Sequence, residues 1–348
     1  MRQTTTPIRL LLLLLLCFAL STTATAQDWQ TLFSKGVEQI KQGQNAEAVE
    51  TFRQANRVEP TVAEGHFNLG LALYNLKRYG EAAVSFGEAA RLKPSYTKAH
   101  IQHGNALDLS GNYQGALTAY AKAEALEPKN ASIFYERAIA HQNARKLPLA
   151  IDQLRKAVEL KPDYTTAFDS LARLLDRSGS VDEAVVYYEK VAELDPKNAH
   201  AHRRIGEYLL RLKKYSQAVT TFKIAIALDP SDKSAHLGLG AAFYNDGKPG
   251  EAIASYQEAS RLDPKWVQPV VYLADSYRLL RRYADAKSTY ERALTIDPRS
   301  ADSLYWLGAI AVTERNLTAA RSYHDRLKPI DAAKASTLLA LIKSASRN

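Results

Sequence analysis

The residues of this 348-residue chain that could do chemistry are eight histidines, scattered carboxylates and an uneven run of arginines. Sulfur is nearly absent, Cys17 and Met1 being the sole cysteine and methionine. Beyond residue 17 there is therefore no thiolate ligand, no disulfide and no thiol nucleophile. A chain so poor in sulfur suits an oxidising compartment. His200-Ala201-His202 has the look of a metal motif, but residues i and i+2 point to different sides of a helix, so both rings cannot readily grip one ion. No His-Glu-x-x-His, Gly-x-Ser-x-Gly or phosphate-binding loop occurs. The Asp182-Glu183 pair reads as a solvated turn. Neither catalysis nor a cofactor or metal is specified. The chemistry that the residue types do fit is recognition. Arginine can grip carboxylates bidentately, and tyrosine, tryptophan and arginine carry much of the binding energy at interfaces.

The elements that must position these residues are set by a fixed period. Pro60, Pro94, Pro128, Pro162, Pro196, Pro230, Pro264 and Pro298 follow one another at intervals of 34 residues, the signature of a repeat architecture. With the proline at position 32, the repeats are 29–62, 63–96, 97–130, 131–164, 165–198, 199–232, 233–266, 267–300 and a ninth over 301–330, without insertion or deletion. His66, His100, His202 and His236 then all fall at position 4 and read as packing residues. Position 20 is alanine in every repeat, from Ala48 to Ala320, and position 8 is always glycine or alanine, as at Gly70 and Gly104. Small residues there mark where the first helix of a repeat crosses the second. Position 24 is large in the first eight repeats (Phe52, Phe86, Tyr120, Leu154, Tyr188, Phe222, Tyr256, Tyr290), and position 27 is alanine in seven. Small and large residues at helical spacing make an interlocking core. The proline ends the second helix, and Gly111-Asn112 or Gly247 marks the turn between helices.

The pattern Leu69-Gly70…Tyr74…Tyr79…Ala82…Phe86…Ala89…Pro94 resembles the tetratricopeptide repeat (TPR) family, and the resemblance covers residues 29–330. It implies an all-α, right-handed superhelical solenoid of nine helix-turn-helix units, with the first helices lining the concave face. The ninth repeat departs from the pattern, with His324 at position 24, Leu327 at position 27 and an early Pro329. The tail over 331–348 reads as a capping helix with Leu338, Leu339, Leu341 and Ile342 on one face, as an exposed solenoid end requires. Position 7, usually apolar, carries Lys35, His103 and Arg137 in repeats 1, 3 and 4. Either the face is looser there or these groups have a partner.

The resemblance places function on the concave face, at positions 2, 5, 9, 12 and 13, and in places 6. Repeats 1 to 4 put apolar and amide groups there, among them Phe67, Asn105 and Tyr135. Repeats 5 and 6 put Arg173, Arg177, Arg203, Arg204 and Arg211 there, with Asp169, Asp176 and Glu207. Repeats 7 to 9 put Tyr244, Tyr272, Tyr305 and Trp306 there, with Arg278. Either the arginines are available to a partner's carboxylates, or the acidic residues among them neutralise them within the solenoid. The Lys/Asn clamp by which some relatives hold peptide C-termini is incomplete, because Phe33 and Val37 stand at its first two positions. The expected function is a non-enzymatic scaffold binding a protein or peptide segment, an acidic one where the arginines are free. An envelope polysaccharide, bound during export or assembly, is the alternative.

Composition is that of an ordinary soluble chain, 46% apolar and 24% charged. Residues 1–26 read as a signal peptide: Arg2 and Arg9, an apolar run over 10–20, and Ala24-Thr25-Ala26 before Gln27. The run is short for a membrane span, which needs about 20 residues. Export to the periplasm or beyond would keep the chain from nucleic acid, so the net charge of +9, or +7 without Arg2 and Arg9, reads as a mildly basic surface. The chain recovered from an exporting bacterial host should begin at Gln27. An intact mass corresponding to the whole sequence would show instead that the segment is retained as an anchor.

Overall fold

The computed structural model describes residues 28–346, so the expected signal segment lies outside the described residues. Among these there are 19 α-helices and no strand. Helices α1 (28–41), α2 (Asn45–Val58), α3 (Ala63–Asn75), α4 (Tyr79–Leu92), α5 (Thr97–Leu109), α6 (Tyr113–Leu126), α7 (Ala131–Asn143) and α8 (Leu147–Leu160) lie in one compact unit, which ends at Leu174. The division falls inside α9 (Thr165–Arg177). The second unit holds α10 (Val181–Leu194), α11 (Ala199–Arg211), α12 (Tyr215–Leu228), α13 (Lys233–Asn245), α14 (Pro249–Leu262), α15 (Val267–Leu279), α16 (Tyr283–Ile296), α17 (Ala301–Thr313), α18 (Leu317–Leu327) and α19 (Ala332–Ala345). Each unit is a helical solenoid, in which consecutive helices from α2 to α8 and from α10 to α19 pack on one another and odd-numbered helices such as α5 and α7, or α11, α13 and α15, also lie side by side.

Two backbone devices set the period. The residue before each repeat proline is driven out of the helical region by the proline ring. Glu59 (φ −131°, ψ 84°) and Lys93 (φ −131°, ψ 85°) show this, and each closes its helix through its own N–H to the alanine carbonyl at position 27. The second device is position 15, where the chain turns between helices. It adopts a left-handed φ in all nine repeats, at Gly43, Gly111, Gly179 and Gly247 but also at Lys77, Arg145, Lys213, Arg281 and Arg315. A non-glycine residue costs about 1 kcal/mol there, and the basic side chains recover part of it at the negative end of the helix dipole. The turn is thus more regular than its glycines suggested.

The prolines and the position 4 histidines are one feature. Nε2 of His66, His100, His202 and His236 lies 3.0–3.1 Å from the carbonyl oxygen of Pro60, Pro94, Pro196 and Pro230 respectively. A carbonyl only accepts, so each ring donates from Nε2 and pins the loop between repeats.

In five of the pairs, those with Gly36, Gly70, Gly104, Gly206 and Gly240 at position 8, the core is a ring laid on a glycine. A Cβ on Gly70 would stand 2.7 Å from the Phe86 ring, one on Gly104 2.4 Å from Tyr120, and one on Gly240 2.6 Å from Tyr256. All nine position 20 alanines are buried beside these rings. The ninth repeat has His324 where the ring should be, and Leu338 of α19 reaches Gly308 in its place, 2.4 Å from where its Cβ would be. With Leu304, Leu327 and Ile342 it closes the C-terminal core. At position 7, Arg137 pairs with Glu124 of α6, the His103 ring lies against Gly87, and Lys35 is exposed.

These contacts predict opposite results for two glycine-to-alanine changes. Gly104→Ala should cost about 1–3 kcal/mol, since the Tyr120 ring must move in a filled core. Gly80→Ala, with open space around it in α4, should gain about 0.5–1 kcal/mol. Urea melts of the two variants check both signs.

Candidate functional site

In each unit the odd-numbered helices form a face on which one slot geometry recurs. Position 12 of one repeat meets position 6 of the next, 28 residues on. In the second unit, Asp176 (α9) pairs there with Arg204 (α11). The Arg278 guanidinium (α15) stacks 3.7 Å from the centroid of the Trp306 ring (α17).

The arginines of repeats 5 and 6 are mostly engaged within the chain. Arg203 holds Asp232 at 2.9 Å and also Glu207. Arg204 bridges Asp176 and Glu207. Arg211 pairs with Asp182 and lies over Tyr208, and Arg173 donates to Asp169 at 2.7 Å. Arg177 is exposed.

The aromatic end is more open. Arg278, Tyr283, Trp306, Ala309, Ile310 and Thr313 line a cavity of about 310 Å³. Tyr305 supports Trp306 edge-on at 4.9 Å, and Tyr272, 36% exposed, tilts over Tyr256 at 5.6 Å. Tyr244 is half-buried beside Tyr256, and burial raises both hydroxyl pKa values. Burial also holds the Asp275 carboxyl above the usual range, although Tyr290 donates to it at 2.5 Å.

In the first unit, Phe67 packs between Phe86 and Tyr96, at 5.4 and 5.0 Å, as a core ring. The Asn105 side-chain oxygen accepts from the Tyr120 hydroxyl at 2.7 Å, which takes up its acceptor. Tyr135 tilts against Tyr164 at 5.3 Å. Reading the sequence by residue type missed the two residues that dominate the electrostatics here, Asp108 (α5) and Glu136 (α7). Burial pushes both carboxyl groups above the ordinary range, and for Glu136 the nearby Asp108 adds to the shift. The signal was present: 108 and 136 stand in the same 28-residue relation as 176 and 204. Among the described residues, no group of three or more His, Cys, Asp or Glu could hold a metal ion, and no helix is long and apolar enough to cross a membrane.

Stacked helix pairs, with the side chains of one helix set turned to a shared face, define a helical-repeat scaffold. The tetratricopeptide repeat family profile matches residues 33–97, 170–232, 205–265 and 273–335, and a second TPR repeat profile matches 104–144. The chain belongs to the tetratricopeptide repeat family, whose members are generally non-enzymatic scaffolds for protein–protein interaction. Among solved structures, the C-terminal part of a TPR repeat-containing protein from Cytophaga hutchinsonii aligns with a TM-score of 0.56, at 18% identity, over 69% of this chain and 99% of its own, and shares the fold. PilW, a type IV pilus biogenesis factor, aligns at 0.49, with 21% identity over 60% of this chain and 98% of its own. YrrB, described as a TPR protein with an unusual peptide-binding site, aligns at 0.44, with 24% identity over 54% of this chain and 96% of its own. No curated protein matches the chain.

Because Glu136 binds its proton more tightly in the folded chain than unfolded, its charge costs stability above the raised pKa, and the cost disappears below the unfolded value. Tyr74, Tyr120 and Tyr164 are the other titratable groups around this pair. Glu136→Gln should therefore raise the melting temperature at pH 7, by about 2–4 °C for each kcal/mol relieved. The gain should vanish below about pH 4. Melts across that range check the direction.

Proposed function

We propose that the odd-helix face receives a protein or peptide segment, and that the chain works as an exported, non-enzymatic scaffold in the periplasm or beyond. The observation that carries this reading is the cavity beside Trp306. An arginine held over an indole, itself 3.6 Å from Asp275 and next to an open space, suits an apolar or aromatic anchor. The family's general role supports the reading, and the signal-like segment over 1–26 supports export. The stacked Trp306 and exposed Tyr272 would also suit a sugar ring, so an acidic envelope glycan is the second ligand to titrate.

The paired arginines are poorer candidates than their number suggests. A partner's carboxylate must displace Asp176, Glu207 or Asp232, and reversing Arg203 or Arg204 would leave partly buried carboxylates unpaired. The aromatic end gives the cleaner test. Trp306→Ala combined with Tyr305→Ala should weaken crosslinked capture of the partner from periplasmic extract by about 30-fold, the scale of a 2 kcal/mol hot spot. Undiminished capture by a normally melting double variant contradicts the proposal.

A further inference from the structure

The slot between α5 and α7 differs from two slots of the second unit. There, position 12 and position 6 attract each other, as Asp176 with Arg204 and Arg278 with Trp306. Between α5 and α7 the same two positions hold Asp108 and Glu136, both acidic. Asp108 is only 5% exposed. Its Oδ2 accepts from the Asn143 amide at 2.8 Å, while its Oδ1 is buried without a partner. Among the described residues no lysine or arginine comes within salt-bridge distance of either carboxyl group. The neighbouring cation, Arg137, is turned away to Glu124. Tyr74, Tyr120 and Tyr164 surround the pair closely enough for its charge to raise their hydroxyl pKa values, after burial itself.

We propose that this slot takes the ammonium or guanidinium group of a lysine or arginine on the bound protein segment. The proposal rests on the reading of the odd-helix face as the recognition surface and names one chemical element of the partner. The unpaired Asp108 oxygen held away from water is costly, and two carboxylates side by side cannot both ionise easily. An inserted cation relieves both costs, giving Asp108 what Arg204 gives Asp176. A lysine brings three donors to groups that only accept when ionised. A divalent metal fits less well, since calcium takes six to eight oxygen ligands and two carboxylates supply few. An apolar segment would bury the charge without compensating it.

The test uses the full chain and random dodecapeptides displayed on phage, selected in parallel on wild type, Glu136→Arg and Val84→Ala. Glu136→Arg installs the arginine that position 6 carries at Arg204, and so closes the slot from within. Peptides selected on wild type should share a fixed lysine or arginine, which disappears on Glu136→Arg and persists on Val84→Ala, a change on the exposed side of α4. The wild-type consensus peptide should bind Glu136→Gln about tenfold more weakly or worse, the scale of one charge-assisted hydrogen bond, while that variant melts no lower than wild type. That combination separates a lost ligand contact from a damaged fold. Enriched peptides without a basic residue, or with one that survives Glu136→Arg, overturn the slot but leave the face standing. If nothing is enriched on wild type, the reading of the face falls with it. A melting temperature raised by calcium alone, and not in Glu136→Gln, would make the slot a metal site and overturn the proposal.

Discussion

The contact on which the rest depends is an aromatic ring lying where a side chain would otherwise begin. In the pairs built on Gly36, Gly70, Gly104, Gly206 and Gly240, the ring at position 24 comes so close that even a Cβ would collide with it. That contact fixes how closely the two helices of a pair approach, and the buried position 20 alanines keep the space around it small. Once the pair is locked, the proline that straightens the preceding residue and the histidine that donates to its carbonyl join one pair to the next. Within each unit, each repeat then presents the same positions to the same face, so differences between repeats become differences along that unit's surface.

Most of this frame was legible in the sequence, because packing is carried by residue type at a fixed spacing. Glycine or alanine at position 8, alanine at 20 and an aromatic ring at 24 can be read without coordinates, and so can the packing role of the histidines. The left-handed turn at position 15 was only half legible: its glycines advertise it, but Lys77, Arg145, Lys213, Arg281 and Arg315 adopt the same backbone without announcing it. The capping helix was legible as an apolar tail. That Leu338 fills the place of a missing ring was not, since it depends on a contact across 30 residues.

The face was harder to read because its chemistry lies in pairs. An arginine counted alone is a binding candidate, whereas Arg204 between Asp176 and Glu207 is already neutralised. Asn105, counted as an amide for a peptide backbone, has its oxygen occupied by Tyr120. Conversely, Asp108 and Glu136 drew no attention singly and became informative as a like-charged couple in a slot that attracts at Asp176–Arg204 and Arg278–Trp306. One geometry thus serves opposite electrostatics: at Asp176–Arg204 and Arg278–Trp306 the slot is satisfied by the chain itself, and between α5 and α7 it is left short of a cation.

The central claim is that binding belongs to the odd-helix face. Photo-crosslinking from single benzoylphenylalanine replacements tests it directly: at Tyr135 and Tyr272 on that face, and at Val84 and Val186, 75% and 58% exposed on the even helices α4 and α10. The account predicts adducts with the captured segment from Tyr135 and Tyr272 alone. Adducts formed mainly from Val84 and Val186 would place the partner on the other helix set and contradict it.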